Sequence, residues 1–381
     1  MTGKGGADGQ SGRARGGRAA APGAAPRSGR SGRSGKAQTP PGPGCTIALM
    51  GDVMLGRLVD GCIADRGFAY PWGDVLPLLR GADLRMINLE CALTQAADRG
   101  QDGAYRAFYF RARPSAVETL KLAGVDLAAL ANNHACDFGF EGMEEMLAVL
   151  DQAGIAHAGA GSNLAAARAP ARLAAGGLSV SVVAIADSPP GWAATPESPG
   201  IHYVPVPPKP STLAEIAGTV AEAKRDADFC IVSVHGGPNL RDRPPREFRE
   251  FARRLIEAGA DAFWGHGAHV VQGIEWHRGR PILYDAGDLI DDYAADETLR
   301  NDLSGLFLLR VGPSRVDSLR VVPVAIADMR AHVARGRART WLVGKLAELC
   351  AEMGTAIHDE GRAVRVTPAA PAAAAERSAS G

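Results

Sequence analysis

Three observations predict an α/β fold with mixed sheets. Apolar runs of strand length alternate with amphipathic helical stretches. Gly-containing turns between later apolar runs add antiparallel hairpins. Gly and Ala are abundant while aromatic residues are 6% of the 381, which suits close packing of helices on sheets better than an all-β sandwich. Hydrophobic residues make up 46% of the chain, enough for a sizeable core. One globular domain, residues 45–366, is therefore expected between two tails.

Taken in order, the buried run Thr46 to Met50 reads as a strand ending at Gly51-Asp52, and Leu84 to Asn88 as the next. Pro114 to Ala123 reads as a helix with Pro in its first turn and Gly124 as its stop. Val125 to Leu130 is a strand running into Asn132-Asn133-His134. Gly142 to Ala153 is an amphipathic helix, with Met143, Met146, Leu147 and Leu150 on one face, and Ile155 to Gly159 a short strand. Leu173 to Val180 is a hairpin turning at Gly176-Gly177 and leading into the run to Ile185. Leu213 to Ala227 is helical. Phe229 to Val234 is the most apolar strand and ends at His235. A helix from Arg246 to Ala258 precedes the strand Ala262 to Trp264. Gly273 to Asp285 is a hairpin turning at Arg278-Gly279. Leu306 to Val311 and Leu319 to Val324 are strands, and Thr340 to Met353 a helix.

Residues 1–44 hold eight basic residues and one acid, so this tail carries about +7 and the remainder about −7. Its Gly, Ala, Ser, Arg and Pro cannot bury enough surface to offset ordering entropy, and 367–381 read the same way, so both are expected to be disordered. An acidic body excludes a general nucleic-acid binder. The six cysteines are scattered, without a C-x-x-C pair, as buried free thiols in a reducing compartment would be. Cys136 is read as a bystander although it lies two residues after His134. There is no transmembrane stretch and no apolar leader segment, so a cytoplasmic location is expected.

Five strand ends collect the metal-ligand chemistry: Gly51-Asp52, Asn88-Leu89-Glu90, Asn132-Asn133-His134, His235-Gly236-Gly237, and Gly265-His266-Gly267-Ala268-His269. Open α/β sheets gather functional groups at the carboxyl ends of their strands. Carboxylate, amide and imidazole donors together suit Zn, Mn, Fe or Co better than Ca. Asp52 alone reads more readily as a helix or turn cap than as a ligand, and Asn132-Asn133-His134 alone reads equally well as a tight turn; the convergence of segments argues for a metal site.

Together these segments resemble the CapA family of poly-γ-glutamate capsule synthesis proteins, within the metallophosphatase superfamily. The likeness runs through Gly51 to Arg57, Asn88 to Glu90, Ala131 to Gly139, Ala153 to Gly161, His235 to Asn239, Gly265 to Glu275 and Pro281 to Asp288. It implies a four-layer α/β/β/α sandwich with a metal site at one edge. It also implies Asp52, Glu90, Asn133, His235, His266 and His269 as ligands to two divalent cations with Glu90 between them, His134 as the proton donor, and Arg57 and Asn239 as substrate contacts. Three positions depart from the superfamily's pattern: Met54 stands where Asp-x-His has its His, two residues separate His266 from His269, and Gly236 replaces a Trp.

The function implied is metal-dependent hydrolysis of a phosphoester, or of a γ-glutamyl or other acyl substrate, in capsule or polyglutamate biosynthesis. The alternative is a non-catalytic polymer-handling or scaffold component with a vestigial metal site. A small molecule or polyglutamate is the expected substrate, and capsule or biosynthetic-cluster proteins are the expected partners.

Overall fold

The computed structural model describes residues 44–99 and 106–369. The basic tail, but for Gly44, and residues 370–381 lie outside the described residues. Two mixed sheets form the core. The first runs in the order Thr355–Asp359, Val364–Pro368, Arg315–Ala327, Leu303–Gly312, Cys45–Val53, Leu84–Leu89, Leu127–Ala129, Ala156–Ala158. The second runs Ile274–His277, Arg280–Leu283, Ala262–His266, Phe229–His235, Leu178–Ala186, Ala171–Ala175.

Alternation along the second sheet fixes the layers, because successive side chains point to opposite faces. Val182, Ala184, Ile231, Trp264 and Leu283 share one cluster with Ile47, Leu49 and Met86 of the first sheet. Their neighbours Val183, Ile185, Cys230, Val232, Phe263 and Ile282 form a second cluster beneath helices Pro210–Arg225 and Arg246–Glu257. Helices Val117–Ala123 and Gly139–Ala153 bury Leu120, Met143, Met146 and Leu150 with the strands of the first sheet. The four-layer α/β/β/α arrangement follows, with helix Gly336–Ala351 touching strands of both sheets. No helix among the described residues is long and apolar enough to cross a membrane.

Most sequence-predicted elements form with shifted ends. The hairpins turn where expected, pairing Ala175 with Leu178 and His277 with Arg280. The helix expected from Leu213 starts at Pro210, and the one expected from Thr340 starts at Gly336. Helix Arg57–Arg66 and strands Asp288–Ile290, Arg330–Val333, Thr355–Asp359 and Val364–Pro368 were not expected. The last of these extends through Pro368.

The segment Tyr284 to Asp288 crosses from one sheet to the other. Arg280–Leu283 belongs to the second sheet, while Asp288–Ile290 pairs parallel with Cys45–Val53 of the first, setting Asp288 opposite Asp52. The crossing lies directly on two strand ends. Ala286 N donates to Gly265 O at 2.9 Å, and Asp52 N to Gly287 O at 3.0 Å. A Cβ at Gly51 would sit 1.7 Å from Gly287 O, and one at Gly265 2.0 Å from Tyr284 O. The glycines before Asp52 and His266 are thus required by close backbone approach. Trp264 Nε1 donates to Met50 O at 2.9 Å and ties the sheets beneath the crossing.

Gly51→Ala must push the crossing backbone away, and urea denaturation should show a loss of about 1–3 kcal/mol or more. Gly61→Ala, in helix Arg57–Arg66 with open space at its Cβ, should instead gain about 0.5–1 kcal/mol. A neutral Gly51→Ala would show that the crossing does not bear on this strand.

Candidate metal centre

Parallel pairing within each sheet brings the strand ends together. Asp52 lies opposite Asn88, and His235 opposite His266. Asn88 joins the two sheets: its Nδ2 donates to Asp52 Oδ1 at 2.7 Å and lies 3.3 Å from His235 Nδ1. Two donor groups result, Asp52, His235 and His266, and Asp52, Glu90, His269 and Asp288, all buried. Asp52 belongs to both, and Glu90 to the second.

In the first group, His235 Nδ1 and His266 Nδ1 are 3.0 Å apart and lie 3.9 and 3.7 Å from Asp52 Oδ1. In the second, His269 Nδ1 is 3.5 Å from Asp52 Oδ2 and 2.9 Å from Asp288 Oδ1, and its Nε2 is 3.8 Å from Glu90 Oε1. Donors about 2.1 Å from one ion in tetrahedral array stand about 3.4 Å from each other, so the separations in the first group, and those of His269 Nδ1 from Asp52 and Asp288 in the second, fit a shared cation, while Glu90 faces the other ring nitrogen. Unpartnered atoms fit it too. Asp52 Oδ2, Glu90 Oε1, Asn133 Oδ1 and Asp288 Oδ2 are buried and accept no hydrogen bond within the protein. His266 Nε2 lies 2.7 Å from Ser233 Oγ, which leaves Nδ1 facing Asp52 and His235. Buried carboxyl and imidazole clusters able to hold a divalent metal are therefore present.

Electrostatics point the same way. Burial, reinforced by neighbouring carboxylates, pushes Asp52, Glu90 and Asp288 well above the usual carboxylate range. Burial raises Asp285 and Asp291 to about 6. It depresses His235, and lowers His266 to about 3. Burial also opposes charge on His269, but Glu90 and Asp52 outweigh it and raise its pKa. The protein by itself thus disfavours the charged forms of these carboxyls, which a cation would favour.

The remaining sequence-predicted residues surround this cluster. The Asn132–Cys136 turn follows strand Leu127–Ala129, with Asn132 Oδ1 accepting from His134 N at 3.0 Å. His134 Nδ1 lies 2.6 Å from Asp137 Oδ2, and its ring stacks on Phe110 at 3.9 Å. Arg106 Nη1 braces this turn through Asn133 O at 2.6 Å. Arg57, with φ +54°, pairs with Asp292 at 3.0 Å, and its guanidinium lies 5.4 Å from both the Phe108 and Phe110 rings. Asn239 is exposed on the loop after His235. All six cysteines are free, and Cys136 faces Met143 Sδ at 3.5 Å.

The departures have local explanations. Met54 is fully buried, its sulfur 3.1 Å from Gly56 N, where it braces the turn into helix Arg57–Arg66. A Cβ on Gly236 would sit 2.6 Å from Asp187 Cγ, so the carboxylate of Asp187 occupies the space a larger residue would need. His269 has φ +59°, a turn that brings its ring back beside Asp52 despite the longer spacing. Asp288 and Tyr293 are site residues that sequence reasoning missed. Asp288 stands in the Pro281 to Asp288 segment of the resemblance, but nothing local shows the crossing that carries it to Asp52. Tyr293 OH donates to Glu90 Oε2 at 3.1 Å across 203 residues, a contact with no local signal.

Comparison with known proteins places the chain in a family. Residues 46–293 match the family model described as bacterial capsule synthesis protein PGA_cap. A probable polyglutamine synthesis accessory protein of Mycobacterium tuberculosis is 33% identical over 81% of this chain and 92% of its own length. The PGA biosynthesis protein CapA of Bacillus subtilis is 28% identical over 74% of this chain and 71% of its own. The capsule biosynthesis protein CapA of Bacillus anthracis is 26% identical over 74% and 68% respectively. With its two sheets, its strand-end donors and the match across them, the chain belongs to the CapA family of bacterial capsule synthesis proteins.

Proposed function

We propose that this chain is a metal-dependent hydrolase of capsule or polyglutamate biosynthesis, acting on a phosphoester or on a γ-glutamyl or other acyl bond. The observation that carries the reading is the pair of buried donor groups sharing Asp52, with carboxylate oxygens that no protein donor satisfies. Asp52, His235 and His266 would hold one divalent cation, and Asp52, Glu90, His269 and Asp288 a second, with Asn133 supplying an amide oxygen. Mn, Fe, Zn or Co suits such donors. Bound there, the cations supply Lewis acidity and activate water at neutral pH.

The chain's own residues do the rest. Asp137 holds His134 Nδ1, so Nε2 is the nitrogen that exchanges a proton with the leaving oxygen or nitrogen. Phe110 fixes the plane of the ring. Burial lowers the pKa of His134 by more than Asp137 raises it, so the charged ring is disfavoured and gives up a proton readily once it has taken one. Arg57 and Asn239 would orient the substrate from the rim. Both cleavage types share one demand, protonation of the leaving group beside an activated water, and relatives named for PGA and capsule biosynthesis favour the γ-glutamyl class.

A non-catalytic, polymer-handling role with a vestigial site is the second reading. Met54 favours it, because a buried thioether replaces a nitrogen donor beside Asp52.

Elemental analysis after dialysis should find about two divalent ions per chain. Asp52→Asn should lose both, and His266→Ala and Asp288→Asn one each; a metal-free wild type contradicts the reading. Across a panel of phosphoester and γ-glutamyl substrates, His134→Gln should keep its metal and lose about 10²–10⁴-fold in kcat. Hydrolysis unchanged in His134→Gln would remove the proton-transfer role, and no hydrolysis of either class would leave the polymer-handling reading.

A further inference from the structure

Glu90 lies just past the end of strand Leu84–Leu89, fully buried, and its two carboxylate oxygens differ in environment. Oε2 accepts from Tyr293 OH at 3.1 Å. Oε1 has no donor and stands 3.7 Å from His235 Nε2 and 3.8 Å from His269 Nε2. Tyr293 is itself held on three sides. Its backbone N–H donates to Asp291 Oδ1 at 2.9 Å. Its ring meets His269 edge to face at 5.3 Å and lies 5.6 Å from Phe110, the ring that stacks on His134.

We propose that Tyr293 is a positioning residue of the metal centre, whose hydroxyl fixes one oxygen of Glu90 and thereby presents the other to the cation that Asp52, Glu90, His269 and Asp288 would hold. A carboxylate on a flexible Glu stem has several torsions to lose when it binds an ion. A hydrogen bond to its outer oxygen removes part of that cost in advance and selects which oxygen ligates. A phenol suits this role because it can donate one proton and carries no charge, so it orients Glu90 without competing with the cation for it. The ring packs independently of the hydroxyl, so Tyr293→Phe keeps the contacts to His269 and Phe110 and deletes the bond to Glu90 alone. The inference rests on the metal-centre reading of the proposed function.

Mn²⁺ titration against a chromophoric chelator tests it without recourse to activity, using the full chain stripped of metal. Tyr293→Phe should bind Mn²⁺ about tenfold more weakly than wild type or worse, the loss typical of a partner that orients a ligand. In the wild type, Mn²⁺ should also shift the near-ultraviolet tyrosine band, because the cation draws charge from the carboxylate that Tyr293 touches. That shift should be absent in Tyr293→Phe. Equal affinity in the two proteins overturns the proposal while leaving the metal centre standing, and so does a wild-type tyrosine band that Mn²⁺ leaves unmoved. A wild type that binds no Mn²⁺, Zn²⁺ or Co²⁺ overturns the metal-centre reading and this inference with it. Should the variant fail to fold, the wild-type band alone decides.

Discussion

Asp52, Glu90, Asp288 and Asp291 bring four carboxyl groups into the interior where the two sheets meet, and His269 is the buried base whose charge they sustain. Taking a carboxylate out of water costs several kcal/mol unless something positive or proton-donating replaces the lost hydration. Asn88 donates to Asp52, and Tyr293 donates through its hydroxyl to Glu90 and through its backbone N–H to Asp291. Oxygens on Asp52, Glu90 and Asp288 remain without a donor. A divalent cation would offset that cost, and the surrounding architecture holds the donors together around the place it would occupy.

The crossing segment Tyr284 to Asp288 supplies that restraint. It is bonded to Gly265 in one sheet and to Asp52 in the other, so the distance between the sheets at the site is set by backbone rather than by flexible side chains. Asp285 strengthens the frame, accepting from Ala268 N and from Gly287 N, which pins the turn that carries His269. Trp264 closes the space beneath through its bond to Met50 O. The donor cluster is thus assembled from two sheets that backbone hydrogen bonds tie together beside it, as a site that holds ligands in fixed geometry requires.

The legible part of this design was what local pattern encodes. Apolar runs marked the strands that carry Asp52, Glu90, Asn133, His235 and His266, and glycine-bearing turns marked the hairpins. The illegible part was long-range. Helix Arg57–Arg66 has a glycine in its middle and a weak apolar face, so neither propensity nor period announced it. Strands Thr355–Asp359 and Val364–Pro368 are short and half polar, and stand as strands because they pair with each other and with Arg315–Ala327. Asp288 reaches Asp52 through the crossing between sheets, and no spacing in the sequence foretells that. Similarly, Gly236 could be seen as a departure, but the reason, the carboxylate of Asp187 beside it, required the fold.

Thermal unfolding of the metal-free protein between about pH 7.5 and 8.5, with and without Mn²⁺, tests the central claim most directly. In this window the depressed histidines His235 and His266 are neutral when folded and largely neutral when unfolded, so they contribute little slope. Asp52, Glu90 and Asp288 have folded-state pKa values raised far above those of the unfolded chain, and His269 is also raised. Each therefore binds more protons folded than unfolded, and stability must fall as pH rises through these values. The account predicts a metal-free Tm that drops with rising pH, and a Mn²⁺-induced increase that grows with pH because the cation takes the place of the departing protons. A metal-free Tm that is flat or rises over this range, together with no response to Mn²⁺, would contradict it.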